Sequence, residues 1–169
     1  MMKETAIPIV TFIGRSGSGK TTLLEKVIKE LSGRGYRLAV VKHHSHAGFD
    51  IDVEGKDSWR FARAGVQQVV IAAPDKLATY WKLDHELNLD EVAAEVRDVD
   101  LILVEGYRNS NKPSIEVRRA ANSMELVGTP EQRIALVSDV PEDVGVPYFD
   151  LNDVGGVARL IEERFLKHS

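Results

Sequence analysis

At 169 residues, 43% hydrophobic and 28% charged, the chain fits one compact globular domain, residues 1–169, with enough apolar material for a real core. A formal net charge of -4 gives no general basis for coating a nucleic acid, and the absence of cysteine removes disulfides, thiolate metal sites and cysteine nucleophiles together. No apolar run approaches the ~18 to 20 residues of a membrane span, and MMKETAIPIVTF lacks the apolar core of an export signal, so a cytoplasmic protein without a membrane association is expected.

Residues 7–13 (IPIVTFI) are short, apolar and β-branched, which predicts a strand buried on both faces. The strand runs into the glycine loop GRSGSGKT. After the loop, Leu23, Leu24, Val27, Ile28 and Leu31 share one helical face, and Gly33 or Gly35 ends the helix. Residues 38–42 (LAVVK) complete a βαβ unit with a right-handed crossover. A polar stretch, SHAGFDIDVEGKDS, then leads into a helix over residues 57–64.

Strands are predicted at 69–72 and 77–81, and a short helix over 90–96 starts at Asn88 or Asp90. Residues 101–104, within VDLILVEG, read as the most continuous buried strand. Residues 114–118 (SIEVR) alternate polar and apolar, the pattern of an edge or half-buried strand. Residues 134–137 and 146–150 supply the remaining strands, and Asn152 or Asp153 caps a final helix whose Val157, Leu160, Ile161 and Phe165 face the core. Strands alternating with helices give an α/β three-layer fold, a mostly parallel sheet flanked by helices.

Gly14, Arg15, Ser16, Gly17, Ser18, Gly19, Lys20 and Thr21 satisfy G-x-x-x-x-G-K-[ST] at every fixed position. Glycines let backbone N–H groups turn inward around a phosphate, and the following helix presents its positive end. Lys20 is expected to reach the β- and γ-phosphates, and the Thr21 hydroxyl to be one ligand of a bridging Mg²⁺. A second acid belongs at the end of a neighbouring buried strand, and Glu105, followed by Gly106, is placed there; the alternative is a solvent-facing turn.

Asp50 and Asp52 point to the same side if their segment is extended, so they need a cation, Mg²⁺ or a lysine such as Lys42 or Lys56, or else are solvated loop acids; Asp52 is the favoured metal-shell acid. His43, His44 and His46 fit neither a helical pair nor a zinc ribbon, and Lys42 and His43 read better as ligand-facing groups at a strand's carboxyl end. Arg108, Lys112, Arg118 and Arg119 are either solvated surface or a site for a second phosphate-bearing ligand.

The three segments GRSGSGKTTLLEKV, VVKHHSHAGFDIDVEGKDSWRFARAG and LILVEGYRNSNKPSIEVRR together resemble the MobB-type molybdopterin-guanine dinucleotide biosynthesis adaptor family. The resemblance implies a P-loop NTPase fold binding GTP with Mg²⁺, with at most slow GTPase activity. It also implies a homodimer that assists a separate molybdopterin guanylyltransferase in joining GMP to molybdopterin. Carried over by motif, residues 14–22, Thr22 included, hold the nucleotide phosphates. Asp52, Lys56, Asp57, Glu105 and Gly106 line the metal and γ-phosphate side, so that Lys20, Asp52 and Glu105 are the candidate catalytic residues. The KHH block and the basic strand around Arg118 become candidates for molybdopterin or partner contacts. The N-K-x-D box is absent, and Ser138-Asp139 stands where it would fall, so guanine specificity rests on the family likeness alone. Two other functions fit the phosphate loop: a small-molecule kinase, for which RNSNKP is a short candidate lid, and a metallochaperone GTPase using the histidines.

Overall fold

The computed structural model describes residues 6–44 and 52–167. Contacts divide the chain into two compact units, one of residues 1–43 and 89–169 and the other of residues 44–88.

In the larger unit the strands are β1 (Ile9–Ile13), β2 (Leu38–Lys42), β5 (Leu101–Glu105), β6 (Ser114–Val117), β7 (Arg133–Ser138) and β8 (Tyr148–Asp150). They form one sheet in the order β2-β5-β1-β6-β7-β8, and each neighbouring pair is parallel. Parallel neighbours need crossovers, and helices supply the covering layers. On one face Val10, Phe12, Leu103, Ile115, Val117 and Val137 pack with helix α1 (Lys20–Gly33) and helix α4 (Val154–Ile161). The short helix α3 (Leu89–Ala93) covers the other, where Leu89 packs with Ile102 and Val104. Alternate residues of β5 thus enter two cores, as a period of two requires.

Helix α1 buries Leu23, Leu24, Val27 and Leu31, the stripe expected from their spacing. Burying each stabilises the fold by about 1.5–3 kcal/mol before ordering costs. The helix stops at Arg34, after which Gly35 turns left-handed at φ +94°. Asp153 caps α4 by accepting from Gly156 N–H, and the helix passes into a wider turn over Glu162–Leu166. The helix expected over 90–96 is regular only to Ala93 and continues as turns to Val96.

One strand departs from expectation. The segment read as an edge or half-buried strand is β6, which lies between β1 and β7 with all four residues buried. Its charged position is satisfied inside: Glu116 is 0% exposed and accepts from Arg133 Nε at 2.8 Å, from Gly128 N–H at 3.3 Å, and from Val127 N–H. A paired internal charge mimics the alternation of a half-wet strand.

The smaller unit holds helix α2 (Asp57–Arg63) and strands β3 (Gln68–Ala73) and β4 (Lys76–Trp81). The two strands form an antiparallel hairpin, a two-stranded sheet of their own, closed by Pro74 and Asp75. Among its described residues up to Asn88, only Val69 is buried; Val70, Ile71 and Leu77 are exposed.

Candidate functional site

The glycine loop joins β1 to α1 at the carboxyl end of the sheet, where β5 and β6 flank β1. Open parallel sheets bind ligands at this edge. Gly14 sits so close to β6 that an added Cβ would stand 2.1 Å from Val117 O, so no larger residue fits. Gly19, at φ +95°, is the left-handed residue from which α1 begins. The N–H groups of the first turn, which no helix carbonyl can satisfy, therefore open at the loop.

Lys20 folds back across this loop, and its Nζ donates to Gly14 O at 3.0 Å and to Arg15 O at 2.8 Å. Burial pushes its ammonium below the usual lysine range; the Glu105 carboxylate opposes that fall and the Lys42 charge adds to it. Ser18 is 1% exposed and its Oγ has no hydrogen-bond partner among the described residues. A buried hydroxyl left in this way fits a site completed by an oxygen-rich ligand.

Thr21 and Glu105, 84 residues apart, meet directly: Thr21 Oγ1 donates to Glu105 Oε2 at 2.9 Å. Parallel pairing makes the contact, because β5 runs beside β1 and ends level with the start of the loop. Lys42, paired with Glu105 in the β2–β5 register, places Nζ 3.8 Å from Glu105 Oε1. Gly106 turns away at φ +101°, where a Cβ would lie 2.9 Å from His43 Cβ, and its N–H donates to Phe12 O at 3.0 Å. The His43 ring stands 4.3 Å from that of Tyr107.

Asp52 belongs to the smaller unit. There its carboxylate accepts from Tyr80 Oη at 3.0 Å and from Val53 N–H at 2.8 Å. A hydrogen bond from Ser58, with those from Val53 and Tyr80, holds its carboxyl below the usual range against a smaller opposing effect of burial. Neutral donors thus occupy Asp52 where a cation was expected. Asp50 and His46, the other candidates of this stretch, lie outside the described residues. Among the described residues no group of three or more His, Cys, Asp and Glu side chains is placed to hold a metal ion.

Arg118 is 3% exposed; its Nη1 donates to Met124 O at 3.0 Å and its Nη2 pairs with Glu142. These contacts enclose its side chain within this unit. Two residues missed in the sequence meet the glycine loop instead. Asn122 Nδ2 donates to Ser16 O at 2.7 Å, and Glu125 pairs with Arg15. Both lie more than 100 residues from their loop partners in the chain, and no motif marks them.

Residues 9–139 match the family model described as molybdopterin guanine dinucleotide synthesis protein B. The molybdopterin-guanine dinucleotide biosynthesis adapter protein of Escherichia coli strain K12 is 37% identical over all of this chain and 99% of its own length. That of Haemophilus influenzae is also 37% identical, over 92% of this chain and 88% of its own. A crystal structure of molybdopterin-guanine biosynthesis protein B superposes with a TM-score of 0.69 at 32% identity, covering 92% of this chain and 98% of the other. Bacillus subtilis MobB superposes with a TM-score of 0.75 at 25% identity, over 95% and 99% of the two chains.

Proposed function

This chain belongs to the molybdopterin guanine dinucleotide synthesis protein B family, and from that footing we propose that it is a GTP-binding adaptor in formation of the guanine dinucleotide form of the molybdenum cofactor. The observation that carries the nucleotide reading is the meeting of Thr21 and Glu105 at the mouth of a glycine loop bridged by Lys20. In this reading residues 14–22 wrap the phosphates of GTP, and the Lys20 charge faces them. Mg²⁺ suits the donors present, a hydroxyl and a carboxylate, because it takes one or two protein oxygens and keeps water and phosphate for the rest. Thr21 would hold it, with Glu105 fixing the threonine hydroxyl; when bound, the ion neutralises charge on the phosphates.

Asp52 keeps its proposed place as a metal-shell acid through the family resemblance, and within its own unit its carboxylate is held by Tyr80 and Ser58. Gly106 follows Glu105 toward the γ-phosphate side. Slow hydrolysis by the protein alone is expected, since no arginine of the loop is assigned to the transition-state charge; Arg15, within the loop, pairs with Glu125. The separate partner is the molybdopterin guanylyltransferase, and molybdopterin itself is a further candidate ligand. Exposed Val70, Ile71 and Leu77 supply apolar surface that a homodimer would cover. Sedimentation should then show Leu77→Asp as a monomer beside a dimeric parent, and a monomeric parent would remove that proposal. The kinase and metallochaperone alternatives are not favoured by the family match.

Replacing Lys20 by Ala tests the nucleotide reading. Calorimetry is expected to lose GTP binding in Lys20→Ala, and unchanged affinity would refute the phosphate loop.

A further inference from the structure

Residues 118–128 run from β6 past the glycine loop along a path fixed by many bonds. Asn122 and Ser123 N–H groups both donate to Arg119 O at 2.9 Å, which closes a turn. Ala120 N–H donates to Asp139 Oδ1 at 2.9 Å at the end of β7. At one end Arg118 is anchored to Met124 O and Glu142; at the other, Val127 and Gly128 N–H groups donate to buried Glu116. Asn122 fastens the turn to the loop itself through Ser16 O. The backbone at residue 119 is thereby set in place before any ligand binds.

Arg119 projects from this turn with Nη2 3.5 Å from where a Gly19 Cβ would stand. Gly19 immediately precedes Lys20 and opens α1, so the guanidinium lies at the wall of the phosphate loop. The glycine gives it room. The neighbouring arginines are committed elsewhere, Arg118 to Glu142 and Arg15 to Glu125, whereas among the described residues no carboxylate makes an ion pair with Arg119. A guanidinium forks onto two oxygens at once, which suits phosphate better than an ammonium does.

We propose that Arg119 is a second phosphate-gripping cation of the glycine loop, supplied by this chain and preset by the 118–128 turn, complementing Lys20. The inference rests on the GTP reading above. It replaces a separate site for another phosphate ligand with a second contact to the same one. Arg119 grips the bound nucleotide in this view, and it takes no proton and forms no bond.

Calorimetry with GTP, GDP and Mg²⁺ on Arg119→Ala, Arg119→Lys and Lys20→Ala tests it, with thermal melting of each nucleotide-free protein. Loss of a charge-assisted contact predicts ~10-fold or weaker GTP and GDP binding in Arg119→Ala, partial recovery in Arg119→Lys, and a shallower salt dependence. The nucleotide-free melting temperature should not move, since the side chain is exposed. Unchanged affinity in Arg119→Ala, with binding lost in Lys20→Ala, overturns the role of Arg119 and leaves the loop assignment standing. Unchanged affinity in both variants removes the loop assignment itself. Weaker binding with a lowered melting temperature and no recovery in Arg119→Lys marks a structural residue and also overturns the proposal.

Discussion

Thr21 Oγ1 donates to Glu105 Oε2 at 2.9 Å, joining the last position of the glycine loop motif to the end of the buried strand β5. A hydroxyl fixed in this way presents its lone pairs in a set direction, so on the proposed reading the carboxylate would orient a metal ligand without needing to bind the metal. Glu105→Gln should therefore reduce the apparent Mg²⁺ affinity of the nucleotide complex roughly 10- to 100-fold. GTP binding measured in excess chelator should stay close to that of the parent protein. A Mg²⁺ titration superimposable on the parent's would separate Glu105 from the metal.

Glu116 and Arg133 form an ion pair with side chains 0% and 4% exposed. Removing one partner strands the other charge away from water, and Glu116→Ala should cost about 3–5 kcal/mol in urea unfolding. Replacing both by apolar residues should recover only part of that loss. Val127 and Gly128 N–H groups also depend on Glu116, and each buried donor left unsatisfied costs about 1–3 kcal/mol. Full recovery in the double variant would show that those two bonds contribute nothing.

The same pair explains what could and could not be read in advance. GRSGSGKT, the apolar runs of β1, β5 and β7 and the Leu23-Leu24-Val27-Leu31 stripe each announce their state through local composition, and the parallel sheet follows from their alternation. Glu105 was legible for the same reason, as an acid ending a buried strand. The burial of β6 was not, because its charged residue, Glu116, is matched by Arg133, Val127 and Gly128 from a later segment. Asn122 and Glu125 reach the loop through that segment's path, which no spacing rule encodes. Nor does the sequence announce that β3 and β4 pair with each other apart from the main sheet.

Acid should expose a third device. Tyr36 Oη donates to Glu162 Oε1 at 2.9 Å, and this bond, with the charges of Arg34 and Lys167, holds the Glu162 carboxyl below its usual range although partial burial opposes it. A carboxyl lowered in the fold binds its proton more readily when unfolded, so its contribution is present above about pH 4.3 and is lost as pH falls through the lower folded value. Tyr36 is raised by the same hydrogen bond, and its contribution is lost at the alkaline end as pH rises through its folded value. Urea midpoints from pH 3 to 7 should show Glu162→Gln less stable at neutrality and converging on the parent below about pH 4. Parallel curves would contradict the assignment.

On the proposed reading, the loop at Gly14–Thr21 holds GTP for an adaptor that answers to a partner enzyme. Titration of GTP and of ATP with Mg²⁺ into the protein, alone and with purified molybdopterin guanylyltransferase, tests it most directly. Tighter binding of GTP than of ATP, together with an affinity or turnover that changes when the transferase is added, is the expected result. Preference for ATP, or GTP binding indifferent to the transferase, would contradict it.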